Sequence, residues 1–376
     1  MKAVVVGCGW MGQAIAYAMQ KLDNEVIVFE PDAAALEAYK ARWGELQLKP
    51  HRTSLANFPS IVQTEACHGR AIKDFDIVIS AAPFRANEII AKVCIDHEMR
   101  YCDLGGNPQV SQEIQRYALE KATLPVFTDL GLAPGYLNML AEKIARKNPG
   151  LTAIYLFCGG LPQMKGNRLN YNLVFSPYGL INEYAGKCRV LREGEIIEVD
   201  ALTGLEQLGM EHEAFHTKGG IGSTLDSMKA QGVEHCQYKT IRYTGHNDYM
   251  RFLMDDCGLS GLSYESASQL KKMLESACPP TKQDLIHMVI RYTTSDGLSA
   301  QVVTTIKANE KWTAMQMATS FPTAAVAHLM AQGKLDDQVV PTYADIDIDA
   351  CQRLLYCINS HVGEDISWKL EPGSLS

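Results

Sequence analysis

Three glycines carry the first chemical signal in this chain. Gly7, Gly9 and Gly12 form G-x-G-x-x-G directly after the apolar run Ala3-Val4-Val5-Val6, and Ala14, Ile15, Ala18, Met19 and Leu22 then recur at helical spacing. A second apolar run, Val26-Ile27-Val28-Phe29, ends on Glu30. Each part has a task in dinucleotide binding. Gly7 permits the tight strand-to-helix turn, Gly9 lets backbone approach a pyrophosphate, and Gly12 lets helix and strand pack closely. The helix N-terminus presents free N–H groups to the anion, and Trp10 and Met11 lie within the same turn. Glu30, eighteen residues beyond Gly12, is placed to accept hydrogen bonds from ribose hydroxyls, and no Arg follows immediately to hold a 2′-phosphate, so NAD is expected rather than NADP. Glycines also serve ordinary turns. Here strand, turn, helix, strand and acid occur in order within thirty residues, the context the motif requires.

Further cofactor candidates sit where later apolar runs end. Residues 75–80 form a buried-strand pattern closing on Ser80, followed by Ala81, Ala82 and Pro83, and small residues there allow ribose and nicotinamide to come close. Leu104 and Gly105 hold the corresponding place one strand later. Asp103 and Asp129 each open an Asp-Leu-Gly at a strand's carboxyl end, the side of a parallel sheet that faces ligand. Their plainer alternative is a helix cap or a turn acid.

The elements that must position these residues alternate strand and helix through about residue 130. Helices are expected over 31–43, 86–97 and 109–121, with an edge strand near Ile61-Val62-Gln63. Such repeats predict a right-handed, doubly wound parallel α/β sheet. From residue 151 the pattern changes to strands at 151–159, 170–175, 187–191, 196–199, 237–243, 284–294 and 298–307, with helices at 178–184, 246–257 and 266–277. Short spacing and the turn Ser295-Asp296-Gly297 predict an α+β domain with a mainly antiparallel sheet. Helical spacing resumes from Lys311, so C-terminal helices are expected to return to the first domain. The expected domains are 1–135, 136–310 and 311–376.

Composition narrows the function classes. A formal net charge of −8 without a Lys/Arg cluster argues against nucleic acid or an anionic membrane surface as partner. Eleven cysteines, scattered without a C-x-x-C pair, predict reduced and mostly buried thiols, no metal centre and a cytoplasmic setting. No apolar stretch approaches twenty residues, and with a core strand at the opening no signal peptide is expected.

The stretch Asp129-Leu130-Gly131-Leu132-Ala133-Pro134-Gly135-Tyr136-Leu137-Asn138 resembles the saccharopine dehydrogenase superfamily. So do Gly159-Gly160-Leu161-Pro162, residues 174–184, Glu213-Ala214-Phe215 and residues 239–246. Their order is most similar to the lysine 6-dehydrogenase branch, and the likeness extends to Ala318-Thr319-Ser320-Phe321-Pro322. It implies a Rossmann domain, an inserted substrate and dimerisation domain, and a homodimer or homotetramer. It also implies NAD-dependent oxidation of the lysine ε-carbon, giving 2-aminoadipate 6-semialdehyde and ammonia. Two places depart from the family pattern. His216-Thr217-Lys218-Gly219 stands for a Tyr-Thr-Asp-Gly-like stretch, and Thr244 replaces the usual Pro before Gly245.

Amine oxidation needs a base near pH 7, for which His246 is the first candidate and His216 the second, with Asp103 and Asp129 available from the sheet. A core or solvated role is the plainer reading of any one histidine. An amino-acid carboxylate needs a cation, for which Arg242 comes first and Arg168 and Lys239 follow. Tyr171, Asn172 and Tyr178 could hydrogen-bond substrate amines, and Asn138 could orient a carboxamide or cap a helix. The alternatives are reductive condensation of an amine with a carbonyl acid, as saccharopine- and carboxynorspermidine-forming enzymes perform, and an NAD(H)-binding sensor or scaffold without turnover. In the former, Arg168, Lys187 and Arg189 would be watched for a second carboxylate.

Overall fold

Short β-branched runs bounded by glycine fold as the sequence pattern dictates: Lys2–Val6 is strand β1, buried at every residue after the first. The computed structural model describes residues 1–43, 49–51, 74–261, 264–362 and 371–373. The chain divides into one unit of Met1–Tyr136 with Gln316–Asp365 and another of Leu137–Met315 with Ile366–Ser376.

In the first unit β1 pairs on both edges with parallel strands, β2 (Glu25–Phe29) and β4 (Ile77–Ser80). With β3 (Lys49–His51), β5 (Tyr101–Asp103) and β6 (Val126–Phe127), the described strands follow the order β3-β2-β1-β4-β5-β6. That is the doubly wound dinucleotide-binding order, with β1 beside the topological switch. Among the described residues, helices α1 (Trp10–Lys21), α2 (Ala33–Trp43), α3 (Phe84–Asp96) and α4 (Pro108–Lys121) link β1 to β2, β2 to β3, β4 to β5 and β5 to β6. Asn107 starts α4 by accepting from Gln109 N and Val110 N at 3.0 and 3.2 Å, ahead of Pro108 at the first helical position. The expected strand at residues 61–63 lies outside the described residues.

The return of the C-terminal helices is observed. Helix α10 (Ala314–Ala331) is apolar nearly all round, and its residues from Gln316 belong to the first unit. Gln316 Nε2 donates to Trp10 O at 2.8 Å and Ser320 Oγ to Met11 O at 3.1 Å, so α10 braces the opening turn of α1. Helix α11 (Ile348–Val362) packs there too, and Tyr17 donates to His361 O at 3.3 Å. The final strand, β15 (Glu371–Gly373), does not follow them. It pairs with β14 (Ser299–Lys307) and joins the second unit, correcting the expectation for the whole of 311–376, because β14 offers it an open edge.

The second unit is built on a mixed sheet. Its described strands run β10-β11-β12-β7-β13-β14-β15, with the hairpin β8 (Lys187–Arg192) and β9 (Glu195–Asp200) attached to β12. Within this sheet only β7 (Leu151–Pro162) and β12 (His235–Tyr243) pair in parallel among the described residues. β13 (Asp284–Thr294) and β14 (Ser299–Lys307) form the expected antiparallel hairpin. β10 (Glu206–Leu208), β11 (His212–His216) and helix α7 (Thr224–Ala230) had no clear signal. Residues 170–175 are not a strand. Asn167 holds Tyr171 at both backbone groups, and Asn170 takes a positive φ of 47° that ladder pairing does not use. Helix α5 is Tyr136–Lys147, α6 Pro177–Glu183, α8 His246–Arg251 and α9 Tyr264–Ala277; the expected helix 246–257 passes into a π-helical turn at Phe252. Every described cysteine is a free thiol, and only Cys257 and Cys357 are exposed. Among the described residues no helix is long and apolar enough to cross a membrane.

Candidate functional site

The glycine turn meets the physical demands of a dinucleotide seat. Gly7 has φ +98°, and a Cβ there would lie 2.9 Å from Ala81 O; a Cβ on Gly12 would overlap Gly7 O. A Cβ on Gly9 would meet nothing within 4 Å, so space is open where a phosphate would approach. Gly9 is the N-cap of α1, no side chain caps the helix and no acid sits in its first turn. Its leading N–H groups are therefore left to a ligand, with the helix dipole favouring an anion. Glu30 lies against this turn because β2 runs beside β1. Its Oε2 accepts from Cys8 N at 2.6 Å and its Oε1 from Asp32 N at 2.9 Å. Burial, and then the Glu30 charge, push the Cys8 thiol up to about 12, so it remains protonated.

The later cofactor candidates divide. Ala81 N donates to Val6 O at 2.8 Å, which brings Ala81 beside Gly7, while Ala82 is half-buried and Pro83 exposed. Ser80 is a correction: its hydroxyl turns into the core and donates to Asn87 Oδ1 at 2.8 Å. Leu104 and Gly105 are half-buried, with Gly105 at φ +76° beside the Asp129 carboxylate.

Asp103 is also a correction. It is 1% exposed, and its carboxylate accepts from Gly105 N, Asp129 N and Tyr101 Oη at 2.7, 3.1 and 2.9 Å. Three donors make it a clasp between the ends of β5 and β6 rather than a free base. Asp129 keeps more freedom, accepting from Ser111 Oγ at 2.8 Å. Burial, and then the Asp103 charge, raise it to about 7, and its φ is +64°. An acid whose folded pKa lies above its unfolded one favours folding below the unfolded value, near 3.9, and loses that contribution as pH rises through 7. Asn at this position would keep Oδ1 for Ser111 and tolerate the left-handed backbone. Asp129→Asn is therefore expected to stabilise the protein by roughly 1–3 kcal/mol at pH 8 and by less at pH 5, read from urea-unfolding midpoints. Equal midpoint shifts at both pH values would show that this carboxyl is not perturbed.

In the second unit the polar centre is Arg242 on β12, 2% exposed. Arg242 Nε donates to Tyr184 Oη at 2.8 Å, and Nη1 donates to Ile241 O at 2.9 Å. Its guanidinium lies over Tyr171, 4.9 Å from the ring centroid. Arg242 Nη2 faces Glu183 Oε2 at 3.8 Å, beyond hydrogen-bond length. Tyr171 is fully buried and its hydroxyl has no hydrogen-bond partner among the described residues. Burial raises the Glu183 carboxyl to about 7, against the pull of Arg242.

His246, the first candidate for the base, is corrected by the same geometry. Leu169 O can only accept, so the 2.9 Å contact to Nδ1 fixes the proton there. Nε2 must then accept from Tyr184 Oη at 2.9 Å, while the Tyr184 oxygen accepts from Arg242. The ring packs against Tyr171, Tyr184 and Phe215, and burial together with Arg242 lowers its pKa to about 3. It is a neutral core histidine with its basic nitrogen committed.

Several other candidates are not brought to this centre. Side chains alternate across a strand, so Lys239, three residues from Arg242, lies on the opposite face of the sheet. There its ammonium pairs with Glu206 at 2.6 Å. His216, directly opposite Lys239 in register, is spent on Gln237 at 3.1 Å and Thr203 at 3.5 Å. Asn138 is fully buried and donates to Ile221 O and Thr224 Oγ1 at 2.8 and 3.0 Å, which ties it to the start of α7 rather than to a substrate. Asn172 holds Pro279 O at 2.7 Å, Tyr178 lies beside Lys271, and Arg168 is exposed. Sequence reasoning missed two acids. Glu213 accepts from Gly245 N and Asn247 N at 2.8 and 2.6 Å and so anchors α8. Glu183 had one available signal, its place beside Tyr184 in a family stretch.

Comparison with known proteins agrees with this architecture. Residues 3–126 match the saccharopine dehydrogenase NADP binding domain and residues 131–363 the saccharopine dehydrogenase C-terminal domain. The chain is 29% identical over 134 residues to the mitochondrial alpha-aminoadipic semialdehyde synthase of Rattus norvegicus, covering 34% of this chain and 14% of that protein. It is 23% identical over 207 residues to the NADP(+), L-glutamate-forming saccharopine dehydrogenase of Schizosaccharomyces pombe, covering 52% of this chain and 46% of that protein. The chain thus spans less than half the length of these curated relatives. The apo L-Glu-forming saccharopine dehydrogenase of Saccharomyces cerevisiae shares the fold over 100% of both chains, with a TM-score of 0.71 at 13% identity. With both domains matched along most of its length, the chain belongs to the saccharopine dehydrogenase family.

Proposed function

We propose that the protein is an NAD-dependent oxidoreductase acting on the CH–NH group of an amino acid, and that its reaction is oxidative deamination of the lysine ε-amine to 2-aminoadipate 6-semialdehyde. The observation that carries this reading is Arg242, a buried guanidinium with N–H groups to spare beside a hydroxyl that lacks a partner. A bound nicotinamide dinucleotide supplies the two-electron acceptor, and the chain supplies position and proton handling. Gly9 and the leading N–H groups of α1 would hold the pyrophosphate, and Glu30 the adenosine ribose. Arg242 with the Tyr171 hydroxyl would hold the substrate carboxylate. The substrate's ε-carbon gives up a hydrogen with its bonding electron pair and the nitrogen gives up a proton, leaving a C=N bond, to which water adds before ammonia departs. The ammonium proton needs an acceptor that titrates near neutrality. His246 and Asp103 are committed elsewhere, and in the first unit Asp129 is an acid raised toward that range.

The preference for NAD rests on the turn after β2. It reads Glu30-Pro31-Asp32, two carboxylates without a cation, which would oppose a 2′-phosphate although the matched domain is described as NADP binding. Glu30→Ala should narrow the preference for NAD over NADP by about tenfold, the worth of one charge-assisted hydrogen bond, in comparative kcat/KM measurements. Equal use of both coenzymes by the unsubstituted protein would show that Glu30 does not discriminate.

A second reading is saccharopine-type chemistry, the reductive condensation of an amine with a carbonyl acid or its reverse, in keeping with the relatives' saccharopine dehydrogenase names. It needs another cation for a second carboxylate, yet Arg168 is exposed, and Lys187 and Arg189 pair with Asp200 and Asp226 at 2.6 and 2.8 Å. One experiment separates the readings: a screen of NAD(P) reduction by basic and acidic amino acids, alongside NAD(P)H oxidation by carbonyl acids with amines. Reduction by lysine supports the first, oxidation only with paired substrates supports the second, and coenzyme binding without turnover leaves a sensor.

A further inference from the structure

Three polar groups of the second unit stand together with bonding capacity unused. Arg242 Nη2 is 3.8 Å from Glu183 Oε2, the Glu183 carboxylate accepts no hydrogen bond among the described residues, and the buried Tyr171 hydroxyl has no partner. An ion pair made only for stability closes to about 2.8 Å, because a guanidinium and a carboxylate match as a two-pronged fork. This pair does not close. A buried hydroxyl left unbonded is costly, and so is a charge without a close partner in a largely buried place. A cation and a donor hydroxyl beside an anion are the complement of a zwitterion, with carboxylate on Arg242 and Tyr171 and ammonium on Glu183.

We propose that Glu183 is a specificity residue that accepts the α-ammonium of the ligand, so that this seat takes an intact α-amino acid head group. Carboxylates without an α-amine, and N-acylated amino acids, are excluded by the unpaired Glu183 charge or by loss of the donor it needs. This deepens the proposed function and rests on its assignment of the substrate carboxylate to Arg242. It leaves the side chain of the ligand to be read elsewhere.

The test uses two unreactive probes, L-norleucine and hexanoate, which share a chain length and a carboxylate and differ in the α-amine. Titration calorimetry on the full chain is expected to show norleucine binding at least about tenfold more tightly than hexanoate. In Glu183→Gln, norleucine should fall to the level of hexanoate, and hexanoate should bind unchanged or more tightly. Equal weakening of both probes would make Glu183 a mere support for Arg242 and overturn the proposal. An unchanged preference for norleucine would also overturn it. If Glu183→Gln does not fold, Glu183→Asp draws the carboxylate back by one methylene and should weaken norleucine alone. Arg242→Ala separates the two levels. Loss of both probes there, with no effect of Glu183→Gln, keeps the carboxylate seat and removes the role of Glu183. No effect of Arg242→Ala, or no binding of either probe to the unsubstituted protein, removes the seat and this inference together.

Discussion

Arg242→Ala is expected to raise the apparent KM for an α-amino acid by about 30-fold or more while dinucleotide affinity stays unchanged. Truncating one member of a buried, hydrogen-bonded charge pair typically costs about 2–5 kcal/mol, which sets that scale. The substitution also removes the donor to Tyr184 and the cation that faces Glu183. A carboxylate stranded in this way destabilises the fold unless it takes a proton. Glu183 already titrates near 7, and Arg242 is what holds it that low, so in the variant the carboxyl is protonated at pH 6 and strained at pH 8. The variant should therefore lose more thermal stability at pH 8 than at pH 6. Steady-state kinetics and melting curves at the two pH values check both halves. An unchanged KM would take Arg242 out of the substrate site.

The second large effect contrasts two glycines of one motif. Valine at Gly12 would drive Cβ into the Gly7 carbonyl, which is backbone and cannot turn away. Overpacking of that kind costs about 1–3 kcal/mol or more and separates α1 from β1. Gly12→Val should lose both thermal stability and measurable dinucleotide binding. Alanine at Gly9 meets nothing in the folded chain, so its melting temperature should hold. Its methyl group enters the space left for the pyrophosphate, and affinity should fall by about tenfold or more, a loss on the order of 1.4 kcal/mol. Coenzyme titration beside thermal melting distinguishes the two. A Gly9→Ala protein that binds dinucleotide normally would place the pyrophosphate elsewhere.

The first unit was legible where its signals were local. Strand, turn, α1, β2 and Glu30 occupy thirty consecutive residues, and each required conformation leaves a residue type behind. The brace on that turn was not legible. Gln316 reaches Trp10 across 306 positions, and no periodicity records a contact of that span. Arg242 could be chosen by type because guanidinium suits carboxylate, and its alternation with Lys239 was readable once the strand was placed. His246 shows the limit of choosing by type. Titration near neutrality belongs to a solvated imidazole, and the aromatic wall of Tyr171, Tyr184 and Phe215 that suppresses it comes from three distant segments. Residues 170–175 show another limit: an apolar alternation is not a strand when a neighbouring Asn side chain has already claimed the backbone.

The interrupted first unit has a consequence for synthesis on the ribosome. Its sheet is complete by Tyr136, yet the helix that buttresses the glycine turn begins to arrive only at Gln316. At about 5–20 residues per second, the nascent sheet waits roughly 10–40 s for that partner. The second unit, contiguous over most of its length, can close during the wait. The buttress of the coenzyme platform then arrives after most of the second unit has been made, and only β15 follows it.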